Sequence, residues 1–332
     1  MDKMYRQVLA AVILGALLPR LVLSAGLLLV RPQTPEGTEP TETEATILET
    51  RPYEPVPAPV YIPVLTGKAD ISVMELERYV VGVVLAEMPA SFEPEALKAQ
   101  AVVARTYALR RISQADRHPD GAVCTDSGCC QAYISEERYL EQRGTKEDVV
   151  KIRQAVMDTS GVVLLYGGVV AEATYFSCSE GRTEEALEVW GADIPYLQAL
   201  ESPGEEAAAN YRVSVYFTGE DFGRALGIKL SGDPKTWLGR TTYTAGHGVK
   251  TMVIGDKIYS GTMLRQLLGL NSTQFTMTAE EDGIQITTQG KGHRVGMSQY
   301  GAGAMAAEGN SYLQILGYYY PGTVIDKVGE IG

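Results

Sequence analysis

A histidine and three cysteines stand close together in one short stretch of this 332-residue chain. They are His118, Cys124, Cys129 and Cys130, with the spacing H-x5-C-x4-C-C. Nitrogen and sulfur donors in this number suit a tetrahedral zinc ion, which in such a loop would mainly fix its conformation. Disulfide bonding, with Cys178 as a further partner, is the alternative, and it requires an oxidising compartment. The sequence contains no H-E-x-x-H motif, which disfavours a catalytic metallopeptidase.

Glu87 occupies a position that favours a protonated carboxyl group. Apolar residues at helical spacing predict a short helix over 74–86 that ends at Met88 and Pro89, so Glu87 falls in its last turn. The free carbonyl groups at a helix C-terminus disfavour a carboxylate, and the apolar neighbours of Glu87 offer it little solvation. Both effects raise its pKa, and a carboxyl group that keeps its proton near neutral pH can act as a general acid.

Further helices are predicted along the chain. They run from about Pro94 to Ala108, from Lys146 to Asp158, from Gly261 to Leu268, and from Gln299 or Gly301 to Glu308. The first of these is rich in alanine, which implies close packing against a neighbouring element.

Extended segments occupy much of the second half of the chain. Gly167 and Gly168 suit the turn of a β-hairpin between Val162–Tyr166 and Val169–Phe176. Ranges 240–258 and 275–288 also have the character of strands. Because helices and strands follow one another without a regular βαβ order, we expect an α+β fold, with mixed helices and antiparallel strands around a substrate cleft.

The first sixty residues differ in composition from the rest. The segment Val8–Val30 is mostly apolar and follows basic residues, which predicts an N-terminal transmembrane anchor at 1–30 and a single-pass protein of the cell membrane. A secretory signal cut near Ser24 or Ala25 is the alternative. Both place the remainder outside the cytoplasm. Residues 31–60 are rich in Pro, Thr and Glu, which predicts a disordered linker.

The overall charge bears on the class of partner. The chain has a formal net charge of −12, and a protein that binds nucleic acid needs clusters of Lys and Arg against the phosphate backbone. We therefore expect no nucleic-acid partner.

Four blocks of the sequence resemble the family of stage II sporulation protein D and the related amidase-enhancer proteins. They are Tyr79–Arg110, which contains YVVGVVLAEMP, Thr159–Thr183, Val189–Glu205, and Gly292–Thr323, which contains GHRVGMSQYGAGAM. The resemblance implies one catalytic domain over 61–325. The range of about 206–289 resembles the family least and is a possible inserted subdomain.

The resemblance implies lytic transglycosylase activity on the glycan strands of peptidoglycan. Glu87, in the triplet EMP, would be the catalytic acid, and the products would carry 1,6-anhydromuramic acid ends. Peptide-free strands would be preferred, and a zinc site in the cysteine region would be structural. The expected setting is engulfment during sporulation, with a wall amidase and a membrane scaffold as partners.

Two other functions remain open at this point. One is a non-catalytic peptidoglycan-binding protein that enhances an amidase. Retention of Glu87 together with Arg105 favours catalysis over this reading. The other is a glycoside hydrolase with a second carboxylate, such as Glu172 or Glu180.

Two basic residues of the alanine-rich helix are candidates for substrate binding. Arg105 and Lys98 could order Glu87 or bind substrate carboxylates, and the planar fork of an arginine suits a carboxylate better than a lysine does. A solvated helix face is the alternative for Lys98.

Polar residues near the third and fourth blocks complete the predicted site. Tyr175, Ser177 and Ser179 alternate along one predicted strand, so their hydroxyl groups would face one side and contact sugar, unless they pair inside the fold. The other candidates are His293, Ser298 and Gln299, in a glycine-rich loop that opens a helix. A histidine held by core hydrogen bonds is the alternative for the first of these.

Two positions depart from the pattern of the family. Phe92 stands where a tryptophan is more usual, and Arg294 replaces the glycine expected after His293. We expect the second change to alter the loop beside the substrate.

Overall fold

A computed structural model describes residues 59–67, 70–115, 117–142, 144–209 and 211–328. The predicted anchor and nearly all of the predicted linker lie outside these ranges. No helix in the described ranges is long and apolar enough to cross a bilayer. Helices and small, mostly antiparallel sheets make up this part of the chain, which confirms the α+β class.

Helices form the centre of the first hydrophobic core. They are α1 (Leu76–Glu87), α2 (Pro94–Gln114), α3 (Glu136–Gln142) and α4 (Lys146–Asp158). The α2 helix has proline in its first turn, as predicted, but continues past Ala108 to Gln114. Its buried alanines let α1 and α4 pack closely against it. A reciprocal capping box between Thr145 and Asp148 begins α4 at the predicted residue.

The segment after the cysteines packs directly on α1. A Cβ atom added at Gly82 would lie 2.2 Å from the ring of Tyr133, and the amide of Ile134 donates to the carbonyl of Gly82 at 3.1 Å. Only glycine allows this approach. The contact holds residues that follow Cys130 beside the C-terminal half of α1.

Short strands cover the first core. Tyr61–Thr66 pairs antiparallel with Asp70–Glu75 and parallel with Val123–Cys124, an arrangement that the sequence did not predict. The predicted hairpin is confirmed at its Gly167–Gly168 turn, where Val162–Tyr166 meets Val169–Val170. On its outer edge Val162–Tyr166 pairs with Val324–Lys327.

The second arm of that hairpin is shorter than predicted. It ends at Val170, and the amide of Glu172 donates to the Tyr196 hydroxyl at 2.7 Å instead of continuing the sheet. The chain then forms a separate short strand, Tyr175–Phe176, which pairs parallel with Met297–Ser298. The predicted single strand through Ser179 is therefore wrong.

A second hydrophobic core lies within residues 212–289. One sheet has the order Phe275–Ala279, Gly283–Gln289, Arg212–Thr218, and another has the order Leu238–Tyr243, Val249–Ile254, Lys257–Ser260. The helix α5 (Ala186–Trp190) precedes this region, and α6 (Gly219–Leu226) and α7 (Gly261–Leu267) belong to it. The apolar side chains of these two sheets and of α6 and α7 form a cluster separate from the first core.

Two helices precede the last strand, Val324–Lys327. The helix α8 (Gln299–Ala307) begins at one of the two predicted residues, where Ser298 Oγ accepts from the amide of Gly301 at 3.1 Å. It is followed by α9 (Tyr312–Tyr319), which the sequence did not predict.

Candidate active site

A cleft of about 820 Å³ opens beside the C-terminal end of α1. Glu87, the last residue of that helix, lies in its wall. The other lining residues come from α2, strand Tyr175–Phe176, α5, α7, the segment that leads into α8, and the loop that contains the four predicted metal ligands. We call this loop, residues 117–130, the cysteine loop. The lining residues include Tyr107, Arg111, Arg117, Cys129, Cys130, Glu172, Tyr175, Ser177, Trp190, Arg265, Lys291, His293 and Gln299.

The carboxyl group of Glu87 is partly buried and has polar neighbours. The amide of Ala132 donates to its Oε1 at 2.8 Å, and the side chains of Tyr175 and Gln299 also face it. Burial raises the pKa of Glu87 above its ordinary value, and these three hydrogen-bonding groups lower it by a smaller amount. The carboxyl group therefore holds its proton to higher pH than an exposed glutamic acid does.

The neighbours of Glu87 are themselves held in place. The Tyr175 hydroxyl donates to Gln131 Oε1 at 3.0 Å, and Gln299 Nε2 donates to Gln100 Oε1 at 3.4 Å. Burial raises the pKa of Tyr175 well above its ordinary value, so this residue stays a neutral phenol. The acid thus lies among neutral polar groups with fixed positions.

The predicted metal ligands are brought together. The ligand atoms of His118, Cys124, Cys129 and Cys130 all lie within 4.8 Å of one another. His118 Nε2 is 3.2 Å from the Sγ atom of Cys129 and 3.6 Å from that of Cys130. Ligand atoms about 3.6–3.8 Å apart are expected around a tetrahedral zinc ion with Zn–S bonds of about 2.3 Å. The cluster can therefore hold a metal ion.

The disulfide alternative receives no support from the described residues. All the cysteines are free thiols, and Cys178 is not part of the cluster. It is buried on a β-bridge with Lys291.

Comparison with known proteins identifies the family of the chain. A family model described as "Stage II sporulation protein" matches residues 66–166, which include α1, α2 and the cysteine loop. The "Stage II sporulation protein D" of Bacillus subtilis is 40% identical over 323 residues, which cover 92% of this chain and 93% of that protein. The chain belongs to the stage II sporulation protein D family.

Other relatives agree with membership of this family. The "Stage II sporulation protein D" of Bacillus amyloliquefaciens is 39% identical over 86% of this chain and 85% of its own length. The "Amidase enhancer" of Bacillus subtilis is 29% identical over 74% of this chain, but the match covers only 40% of that longer protein. The resemblance read from the four sequence blocks is thereby confirmed.

The two basic residues predicted on α2 do not line the cleft of this family member. Arg105 is fully buried and pairs with Glu77, with Arg105 Nη2 2.5 Å from Glu77 Oε2. It also donates to the carbonyl groups of Val156 and Val162. Lys98 pairs with Glu95 at 2.9 Å, and also with Asp158. Both side chains join structural elements, so we withdraw them from the expected substrate contacts. The presence of Arg105 therefore gives no support for catalysis.

Two of the predicted serines also have structural positions. Ser179 is buried, and its amide and hydroxyl donate to Glu205 Oε2 at 2.6 and 2.9 Å. Ser298 is buried as the N-cap of α8. Both side chains are used inside the fold, Ser179 because the chain turns after Phe176 and Ser298 because it caps α8, so the structure does not support either as a substrate contact. Of the serines predicted there, Ser177 lines the cleft.

His293 lines the cleft between two aromatic rings, those of Trp190 and Phe176, with centroids 5.1 and 6.0 Å away. Its Nδ1 accepts from the amide of Val295 at 3.1 Å, so the neutral ring carries its proton on Nε2. Burial, and then the nearby charge of Arg265, lower the pKa of His293 to about 4. The ring is therefore neutral near pH 7, and it is hydrogen-bonded to the backbone of Tyr175 as well as to that of Val295.

Arg294, the residue that replaces the expected glycine, has a left-handed backbone with φ of 64°. Glycine adopts this conformation at less cost, which explains the family pattern. Here the guanidinium is fully buried, lies 3.1 Å from Glu184 Oε2, and donates to the Gly246 carbonyl and to Gln274 Oε1. The change does more than alter a loop, because it joins the second core to the segment around Glu184.

The other departure, Phe92, has a structural position. Its ring meets that of Tyr300 edge-on at 5.0 Å, and its carbonyl accepts from Lys151 Nζ at 2.7 Å. It connects the loop after α1 with α8 and α4.

Sequence reasoning missed several residues of the cleft. Trp190 is one, although the third block contains it. Arg111 is another, and it pairs with Glu172, which the sequence raised only as a possible second carboxylate. Arg265 and Lys291 carried no signal, since each is a single basic residue outside any recognised motif.

Proposed function

We propose that this protein is a lytic transglycosylase that cleaves the glycan strands of peptidoglycan. The observation that supports this most strongly is the raised pKa of Glu87 in the wall of a cleft large enough for sugar rings. Cleavage of a glycosidic bond requires a general acid, and a raised pKa favours the protonated form that this role needs.

The reaction needs no second carboxylate. Protonated Glu87 gives its proton to the glycosidic oxygen as the bond to C1 of the muramic acid breaks. The C6 hydroxyl of the same sugar attacks C1, and the carboxylate takes up the proton of that hydroxyl. The result is a 1,6-anhydro ring and a new free hydroxyl end, with no water consumed. Glu87 returns to its starting state.

The surroundings of Glu87 suit both halves of this cycle. Burial favours the protonated acid before the bond breaks, and the amide of Ala132 stabilises the carboxylate that forms. Tyr175 and Gln299 can orient the carboxyl group.

We propose that His118, Cys124, Cys129 and Cys130 hold zinc. The short distances between their ligand atoms and the mixed nitrogen and sulfur donor set support this. Such an ion would fix the loop that leads to Gln131 and Ala132, and these contact Tyr175 and Glu87.

The biological setting is part of the same proposal. The relatives named stage II sporulation protein D support a role in sporulation. We place the enzyme at the cell membrane, single-pass and with its catalytic domain outside the cytoplasm, acting on peptide-free strands during engulfment. Its partners there would be a wall amidase and a membrane scaffold.

A non-catalytic amidase enhancer is the second candidate. The relative named "Amidase enhancer" matches 74% of this chain, which is the observation in its favour. A hydrolase that uses Glu172 as a second carboxylate is a weaker candidate, because Glu172 is in an ion pair with Arg111.

Product analysis separates these functions. The full-length protein and its Glu87→Gln variant are incubated with peptide-free and with peptide-bearing strands, and the released glycan is analysed by mass spectrometry. A transglycosylase gives anhydro ends, a hydrolase gives reducing ends, and an enhancer alone gives neither. We expect anhydro ends from the wild type and about 100- to 10,000-fold less product from the variant, the usual contribution of a general acid. Anhydro ends at an unchanged rate from the variant would remove Glu87 from the mechanism.

A further inference from the structure

Three cationic side chains in the cleft, those of Arg117, Arg265 and Lys291, have no carboxylate partner among the described residues, and Arg117 donates to the Cys129 carbonyl within the cysteine loop. Arg265 and Lys291 both line the cleft, and neither is in an ion pair with any residue of the described ranges. Arg111, in the same cleft, pairs with Glu172. Arg265 and Lys291 are therefore cations that a substrate carboxylate can neutralise.

Arg265 reaches the cleft from the second core. It lies in α7, next to Leu264, whose side chain is fully buried in that core. Its Nε donates to the carbonyl of Leu270 at 3.4 Å, and burial lowers its pKa. A partly buried guanidinium without a counterion is costly, and a bound anion offsets that cost. The helix α7 thus fixes the position of Arg265 in the wall of the cleft.

Lys291 is positioned by the backbone on both sides. Its amide donates to the Cys178 carbonyl at 2.7 Å, and the Cys178 amide donates back at 3.3 Å. The neighbouring Ser177 lines the cleft. In a chain with a net charge of −12, cations without a carboxylate partner in one cleft are places where an anion can bind.

We propose that Arg265 and Lys291 form a carboxylate-binding subsite for the glycan strand. This inference rests on the proposed function for the identity of the strand. The planar fork of Arg265 would bind the carboxylate through two hydrogen bonds, and Lys291 would add a point charge. His293 is neutral near pH 7, so it adds no competing charge.

Peptidoglycan offers carboxylates of two kinds. In a peptide-free strand every muramic acid carries a free lactyl carboxylate, and in a peptide-bearing strand that group is an amide while the peptide has carboxylates of its own. The lactyl group is attached directly to the sugar ring, whereas the carboxylates of the peptide lie farther out along the stem. We assign the lactyl carboxylate as the ligand. The second core would then take part in substrate recognition through Arg265.

The subsite acts on binding and leaves the acid unchanged. The pKa of Glu87 is shifted by burial and by hydrogen bonds with Ala132, Tyr175 and Gln299, and neither of the two cations contributes to the shift. Loss of a cation should weaken binding of the strand while the pH profile of cleavage stays the same.

The test measures binding without turnover. Full-length Glu87→Gln protein, with and without the added substitutions Arg265→Gln and Lys291→Gln, is titrated with three ligands: peptide-free strands, the same strands with their carboxylates converted to neutral amides, and peptide-bearing strands. Arg224→Gln is the matched control, since this arginine of the second core is exposed on α6 and is not part of the cleft. Thermal unfolding of each variant checks that the fold is kept.

We expect Arg265→Gln to weaken the binding of peptide-free strands about tenfold, as loss of a hydrogen bond to a charged group does, and Lys291→Gln to weaken it less. Amidated strands should bind weakly to all variants alike. An equal loss with amidated strands would overturn the subsite. A loss confined to peptide-bearing strands would keep a carboxylate as the ligand but move its source to the peptide.

These results do not depend on cleavage. Carboxylate-dependent binding in a protein that yields no anhydro ends would support the subsite and refute the transglycosylase. Anhydro ends with binding that ignores the carboxylate would do the reverse.

Discussion

The backbone amide of Ala132 donates a hydrogen bond to Glu87 Oε1 at 2.8 Å, two residues after the last cysteine of the metal-binding cluster. Gln131, between them, accepts from the Tyr175 hydroxyl. The cluster and the acid are thus connected through a few backbone bonds. A change in the cysteine loop will move the groups that set the position and acidity of Glu87.

Loss of the proposed zinc ion should therefore reduce activity. We expect Cys129→Ser to lose bound zinc and to lower the rate of cleavage about 10- to 100-fold, the usual effect of disturbing the support of a site. Metal content and cleavage are measured on the same preparation. Cys178→Ser is the control, because this buried thiol lies outside the cluster. Full activity in a metal-free protein would disprove the connection.

Cleavage should decline as pH rises through the pKa of Glu87, because the reaction begins with the protonated acid and burial raises that pKa. Tyr175→Phe gives a sharper test. The Tyr175 hydroxyl lowers the pKa of Glu87, so its removal should move the alkaline limb of the kcat/KM profile to higher pH. Tyr300→Phe, outside the cleft, should leave the limb in place. A shift to lower pH in Tyr175→Phe would contradict this account.

Arg105 should be important for stability. Arg105→Ala leaves the partly buried Glu77 and two backbone carbonyl groups without their donor, and breaking a buried pair costs about 3–5 kcal/mol. The free energy of unfolding is measured by denaturant titration. Lys98→Ala, which removes a more exposed pair, should cost about 1 kcal/mol or less. Weakened substrate binding in Arg105→Ala at unchanged stability would restore Arg105 to the site.

Arg294→Gly restores the residue that the family pattern expects. It relieves a left-handed backbone at a gain of about 1 kcal/mol. However, it leaves Glu184 buried without its cation, at a cost of about 3–5 kcal/mol. We expect a net loss of about 2–4 kcal/mol in denaturant titration, given these opposing magnitudes. The double change with Glu184→Gln should recover part of the loss. A stabilised single variant would show that the ion pair contributes little.

Local sequence patterns predicted α1, α2, α4, α7 and α8, missed α3, α5, α6 and α9, and predicted the distant strand pairings poorly. The helix Lys146–Asp158 was predicted at its observed bounds because its cap and its apolar face are both local signals. Strand Tyr175–Phe176 pairs with Met297–Ser298, more than a hundred residues away, and nothing near either strand encodes that partner. This is why Ser179 was placed wrongly.

The same division applies to the site. Glu87 and the metal ligands were found from spacing and motif, and both groups lie where the sequence placed them. Arg105 was misplaced because a buried ion pair and a substrate contact look alike in sequence. Arg265 was missed because only the tertiary structure brings the second core to the cleft.

The absence of a side chain at Gly82 has a consequence for genetics. A methyl group there would strike the ring of Tyr133, so even Gly82→Ala would push that ring, and with it the neighbouring Ala132, away from α1. Substitutions of residues that do not contact the proposed substrate can thus change the position and the pKa of Glu87, the proposed proton donor. A genetic screen for reduced activity should recover substitutions on the face of α1 that contacts Tyr133, as well as in the cleft.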